Sequence, residues 1–305
     1  MNSPAIGELN DEFSIQDGNN SLHFENGTGD IPVAVIKNEQ AKAVISLQGA
    51  QLLSWVPAAG DEMIWVSPDA CFMPGKSVRG GVPVCWPWFG AHVSNPDLPA
   101  HGFARTSLWR VADVGVTITG ESEITFRLDS RTLTDAVQAM WPQATTLDLS
   151  LTLGTSLQLA LTSTNHSDQD MKITQALHTY FAIDDIASTL VYGLEGRDYL
   201  DKSDGFSRKT QDGPVVINTE VDRVYLQTAD DVMIDDNKRK ILIKKQGSQT
   251  TVVWNPWQAV AEKMGDLGKD GYRKMVCVES ANAADDVVVL EPGGRHTLSV
   301  TYSLG

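Results

Sequence analysis

The chain has 305 residues, 42% of them hydrophobic and 21% charged, which is enough apolar material for one large core or two ordinary ones. Lysine and arginine total 24 against 39 aspartate and glutamate, a formal net charge of -15, so the average surface repels nucleic-acid backbones and anionic membranes but leaves room for a local basic pocket. Three cysteines with no CxxC pair argue against a disulfide framework and for a reducing compartment. The polar start MNSPAIGELNDEF has neither the basic end nor the apolar run of a secretion signal, and no segment approaches the roughly 20 apolar residues of a membrane span, so the expected setting is the cytoplasm.

In chain order, residues 1–30 carry little periodicity and read as an N-terminal arm or edge elements. From Ile31 the pattern turns to short strand-like runs, IPVAVIKN and then AKAVISLQGAQLLSWV, divided at Gly49-Ala50, with a further run from Glu62 to Ser67. Ser107 to Val114 and Gly115 to Leu128 continue the rhythm. Thr132 to Met140 predicts one or two helical turns stopped by Trp141-Pro142. Thr145 to Leu153 and Ser156 to Ser163 alternate around Gly154 as a hairpin. After the apolar run Met171 to Ile183 come shorter runs at Ser188 to Gly193, Arg223 to Leu226 and Val232 to Ile234. Lys240 to Lys245 and Gln249 to Trp254 predict a second hairpin around Gln246-Gly247-Ser248. Lys274 to Glu279, Val287 to Leu290 and His296 to Tyr302 close the chain. With no repeat and no Ser/Pro-rich linker, residues 31–305 read as a single, mostly antiparallel β domain, a sandwich.

One stretch departs from this rhythm. Gly75 to Arg105, GKSVRGGVPVCWPWFGAHVSNPDLPAHGFAR, gathers a lysine, arginines, two histidines and four aromatics among Gly and Pro residues that favour loops. Arg79 and Arg105 lie within it, and a guanidinium fork makes paired hydrogen bonds to carboxylate or phosphate. Trp86, Trp88 and Phe89 suit either a sugar-ring face or closure of a core edge. His92 and His101, on either side of Asp97, offer with a distant Asp or Glu a weak zinc pattern.

Outside the loop, His178 sits in the apolar run LHTYF, as a satisfied core group or a proton-transfer group. Glu279 ends the run MVCVE, where a carboxylate is costly unless paired, exposed or functional. Asp222 and Arg223 in TEVDRVYL read as a surface ion pair or a site element. There is no GxGxxG after a strand, P-loop, HExxH or GxSxG, so nucleotide, nicotinamide and serine-hydrolase chemistry lose their support.

The blocks SLQGAQLLSW (46–55), RGGVPVCWPWFG (79–90), HGFAR (101–105), ALHTYF (176–181), EVDRVYL (220–226), WNPW (254–257) and CVESAN (277–282) resemble, in this order, the glucose-6-phosphate 1-epimerase family, or hexose-6-phosphate mutarotases, related to the aldose 1-epimerases. The resemblance runs from about Ile31 to near the C-terminus. It implies a large antiparallel β-sandwich of the galactose-mutarotase type with few short helices. It also implies a catalytic acid–base pair, His178 and Glu279, sugar and phosphate contacts at Arg79 and Arg105, and a sugar-binding Asp222. His101 resembles the first of two site histidines in the broader group. Ala100 stands where some relatives carry Gln, and Val221 where Thr is common. The implied substrate is a hexose 6-phosphate, with no metal or other cofactor and no partner subunit specified, which is compatible with a monomer. An aldose 1-epimerase for unphosphorylated sugars and a noncatalytic carbohydrate-binding module are the alternatives.

Overall fold

Alternation of side chains sets the first layer of the fold. In the strand Thr145–Leu153, Leu147, Leu149, Leu151 and Leu153 are buried while Asp148, Ser150 and Thr152 are less so, and Ser156–Asn165 repeats the pattern with Leu157, Leu159 and Leu161. The two pair antiparallel around Gly154, Leu153 opposite Leu157 and Thr145 opposite Asn165, as their sequence predicts.

The structure, a computed structural model, describes residues 5–305 and is built mainly of antiparallel sheets. Among the described residues the α-helices are short: Ile6–Phe13, Asp135–Met140 and Trp257–Ala261. None is long and apolar enough to cross a membrane. A nine-stranded sheet takes the spatial order 215–216, 190–192, 232–235, 240–246, 295–304, 156–165, 145–153, 122–129, 110–116. An eight-stranded sheet runs 207–210, 198–201, 221–225, 250–255, 275–282, 175–177, 84–85, with 180–182 also paired to 275–282. A five-stranded sheet takes 15–17, 20–26, 32–37, 41–46 and 51–57 in sequence order.

The sheets share one core, which joins Trp55, Leu159 and Val278 from the three of them. Between the two large sheets, the Phe181 ring meets the Tyr302 ring edge-on at 5.0 Å, and Thr179 Oγ1 lies 2.5 Å from Tyr302 Oη. At the N-terminal end, the helix Ile6–Phe13 buries Leu9, and Asn20–Asn26 pairs with Pro32–Lys37. Residues 1–4, part of the expected arm, lie outside the described residues.

The second expected hairpin is not one. Lys240–Gln246 pairs with Val232–Asp235 and Arg295–Leu304 in the nine-stranded sheet. Thr250–Asn255 pairs instead with Val221–Tyr225 and Met275–Asn282 in the eight-stranded sheet. The chain changes sheets at Gln246-Gly247-Ser248. Gly247 has φ +74°, and its α-carbon lies so close to the Thr297 carbonyl that a side chain there would collide with it. Side chains lock the corner: the buried Lys245 ammonium donates to Ser248 Oγ at 3.2 Å and Thr251 Oγ1 at 2.8 Å, and burial pushes its pKa down to about 7.

Candidate active site

Strand register assembles the site on one face of the eight-stranded sheet. Glu279 stands opposite Val252, Val252 opposite Val224, and Val224 opposite Leu200, forming one row across four strands. Two residues along, Cys277, Trp254 and Asp222 form the next row. Residues two apart on a strand point the same way, so both rows share a face. Lys202 follows directly on Asp198–Asp201, and its Nζ reaches Asp222 Oδ2 at 2.8 Å.

His178 is placed by a break in pairing. Gln175–Leu177 and Tyr180–Ala182 both run antiparallel to Met275–Asn282, and His178 lies in the gap between them, its N–H donating to the Pro83 carbonyl at 3.0 Å. There its Nε2 lies 3.4 Å from Glu279 Oε1, and its ring stacks on Tyr180 with centroids 4.9 Å apart. Both side chains are buried, His178 at 9% and Glu279 at 1% exposure. His178 Nδ1 and Glu279 Oε2 have no hydrogen-bond partner in the protein.

The Gly75–Arg105 stretch closes the other wall. The Trp86–Pro87 peptide is cis, and His101 (φ +65°) and Gly102 (φ +70°) turn the chain back so that the Trp86 N–H donates to the His101 carbonyl and the Phe103 N–H to the Trp86 carbonyl. A side chain at Gly102 would collide with the Trp86 carbonyl, so the turn requires glycine. The His101 ring is thereby held between Phe89, at 5.0 Å, and His178, at 5.7 Å. Trp86 is core, fully buried with Nε1 on Ser163 Oγ, and Trp88 donates to the Pro99 carbonyl. Of the three aromatics in WPWF, Phe89 alone lines the cavity, and the facing aromatic wall comes from Tyr180 and Trp254.

The cavity is about 290 Å³, and the sequence-predicted residues Arg79, His101, Arg105, His178, Asp222 and Glu279 all line it. Arg79 donates from Nε to Asp266 at 3.0 Å and from Nη1 to Tyr180 Oη at 3.3 Å, and Arg105 donates to the Ala100 carbonyl at 2.8 Å. The Ala100 contact is thus made by backbone. Arg223, beside Asp222, points away and donates to Gln211 instead. Sequence reasoning missed Lys202, Tyr180, Trp254 and Asp266. Tyr180 and Trp254 stood inside the quoted blocks HTYF and WNPW, whereas nothing in the sequence around Lys202 or Asp266 marked either. Among the described residues no three His, Cys, Asp or Glu side chains gather to hold a metal, so His92 and His101 are not joined by a distant carboxylate in a zinc site.

The electrostatics follow from burial. Desolvation, with Asp222 adding to it and Lys202 opposing it, holds the Glu279 carboxyl well above its usual range. Desolvation, helped by His101, Arg105 and Arg79, holds His178 well below its usual value. His101 is pushed down to about 3 by burial and then by Arg105, Lys202 and Arg79, so it is neutral at physiological pH. Burial thus favours the neutral forms of both His178 and Glu279, and the pair together carries one proton.

A buried imidazole–carboxylate pair in a basic, aromatic-walled cleft of an antiparallel sandwich is the equipment of an acid–base enzyme for small polar molecules. The comparisons agree in kind. The aldose 1-epimerase family profile matches residues 32–303. The chain is 37% identical over 270 residues to an Escherichia coli K12 protein named "Putative glucose-6-phosphate 1-epimerase", covering 88% of each chain. It is also 37% identical over 278 residues to a Cenchrus ciliaris protein of the same name, covering 86% of this chain and 82% of that one. A crystal structure from Salmonella typhimurium, described as "a putative mutarotase", superposes with a TM-score of 0.85 at 31% identity, covering 98% of this chain and 99% of that one. The chain belongs to the aldose 1-epimerase family.

Proposed function

We propose that this protein interconverts the α and β anomers of a hexose 6-phosphate by acid–base ring opening and closure. The observation that carries the reading is the buried His178–Glu279 pair at 3.4 Å in a cavity that also holds Arg79 and Arg105. The names of the relatives support the phosphorylated substrate.

In the forward step Glu279, as carboxylate, takes the proton of the anomeric hydroxyl. The C1–O1 bond becomes a carbonyl, the bond from C1 to the ring oxygen breaks, and protonated His178 delivers its proton to that oxygen. Rotation about C1–C2 presents the other face of the aldehyde, and reversal of both transfers closes the opposite anomer. The route consumes no co-reactant. Opening converts a charged pair into a neutral one, which is the state burial favours. Desolvation of the two groups therefore works in the direction of ring opening, and substrate binding must first stabilise the charged pair.

Asp222 accepts hydrogen bonds from sugar hydroxyls, and neutral His101 lends a ring nitrogen beside His178. Each guanidinium carries five N–H donors, so the contacts that fix Arg79 and Arg105 leave donors for the phosphate. The reading includes a cytoplasmic setting, which the three unpaired cysteines support.

The test is anomer exchange measured by NMR at equilibrium, with glucose 6-phosphate and glucose in parallel. Acceleration of the phosphate ester in preference to glucose is the expected result. Equal acceleration of both makes the protein a general aldose 1-epimerase. Sugar binding with no acceleration of either makes it a noncatalytic carbohydrate-binding module and overturns the proposal.

A further inference from the structure

The cations of the cavity are not equivalent. Arg79 and Arg105 come from the 75–105 loop and act against protonation of His178, whereas Lys202 comes from the end of the strand Asp198–Asp201, pairs with Asp222 at 2.8 Å, and is the cation that acts on Glu279. This division matches the asymmetry of the ligand. In a cyclic hexose 6-phosphate the phosphate-bearing carbon hangs next to the ring oxygen, which His178 serves, and the 2-hydroxyl lies on the anomeric side, which Glu279 serves. The arginines thus belong to the phosphate end, and Lys202 with Asp222 to the other.

We infer that Lys202 is a positioning residue of this site: it orients Asp222 toward the sugar hydroxyls and, from its place in the cavity that Glu279 also lines, stabilises that base in its ionised form. The assignment rests on the epimerase reading above. Lys202 is suited to it by geometry. Its ammonium has three donors, its side chain is 29% exposed, and one donor is committed to Asp222 while both residues line the cavity.

Other titratable groups around Glu279 do not substitute for it. Cys85, Cys277, Tyr180 and Tyr302 are all held neutral by burial. His178, at 3.4 Å, trades the same proton with Glu279, and Asp222 opposes its ionisation. Removing Lys202 leaves Asp222 as an uncompensated anion beside the base. Glu279 then holds its proton to higher pH, so the plateau of the pH–rate profile falls and its alkaline limb, where Glu279 gives up the pair's proton, moves upward. A rise of one unit corresponds to about tenfold less of the charged pair.

The experiment compares wild type, Lys202→Met and Lys202→Arg by two readouts. The first is anomer exchange against pH with glucose 6-phosphate and with glucose. The second is carboxyl 13C NMR of the free protein, with the Glu279 signal assigned by its absence in Glu279→Gln. The expected result for Lys202→Met is about a tenfold loss or more with both sugars, an alkaline limb and a Glu279 midpoint raised by about one pH unit, and substantial recovery of each in Lys202→Arg. An unmoved midpoint and pH profile overturn the inference while leaving the epimerase reading intact, as does a loss confined to glucose 6-phosphate, which would make Lys202 a phosphate contact. If wild type accelerates neither sugar, the epimerase reading falls by itself. The carboxyl titration then decides the electrostatic role of Lys202, a raised midpoint supporting it and an unmoved one overturning it.

Discussion

In its proposed role as base, Glu279 sets folding against chemistry within one side chain. Its carboxyl is 1% exposed and its pKa is raised above the usual 4.5, first by desolvation and then by Asp222. A folded-state pKa above the unfolded one gives stability that is fully present below about pH 4.5 and lost as pH rises through the folded value. Glu279→Gln removes the ionisation without changing the shape. The variant is therefore expected to melt at a higher temperature than wild type at pH 7 to 8, with the advantage shrinking toward pH 4.5, as scanning calorimetry across that range would read. The same variant, and His178→Asn, should each lower anomer exchange by about 10²- to 10⁴-fold with the fold intact by circular dichroism. A stabilised yet inactive Glu279→Gln is the signature of a base kept in place at the expense of the fold, and near wild-type exchange by either variant would remove that residue from its proposed role.

At the scale of elements, the 75–105 loop and the breaks in strand pairing make the site. Gly102 sits at φ +70° against the Trp86 carbonyl, directly after His101 at φ +65°. Gly102→Ala is expected to lose at least about 1 kcal/mol of unfolding free energy by denaturant titration, together with activity, because the turn that holds His101 against His178 is the part that must shift. Arg105→Ala should raise KM for glucose 6-phosphate by about tenfold or more, the worth of a charge-assisted hydrogen bond, and leave glucose nearly unchanged. Equal effects on both sugars would count against a phosphate contact. The reasons these residues were legible differ from one to another. Arg79, His101 and Arg105 stood out because a Gly/Pro/aromatic loop rich in cations contrasts with an acidic chain. His178, Asp222 and Glu279 were ambiguous by composition, and the ordered sequence blocks singled them out. Lys202 was invisible because what makes it interesting is a cross-strand neighbour. Only pairing of Asp198–Asp201 with Val221–Tyr225 brings it to Asp222.

Across the whole molecule, local alternation was legible and partner choice was not. The leucines from Leu147 to Leu161 predicted both their strands and their hairpin, because a short turn at Gly154 leaves one geometry for two alternating runs. The run at Gln246-Gly247-Ser248 looks the same on paper and does the opposite, since the contact that decides it, Gly247 against Thr297, lies about 50 residues away in sequence. The nine-stranded sheet carries this further. Strand Arg295–Leu304 is inserted between Lys240–Gln246 and Ser156–Asn165, so it is the one link between strands 110–165 and strands 190–246 of that sheet. During synthesis, which proceeds from the N-terminal end, the two halves wait as open edges until this strand emerges. Completion of that sheet therefore rests on pairings between strands far apart in sequence. A chain ended at Gly294 is expected to give no cooperative unfolding transition and to aggregate, and adding residues 295–305 as a separate peptide during refolding should recover soluble protein.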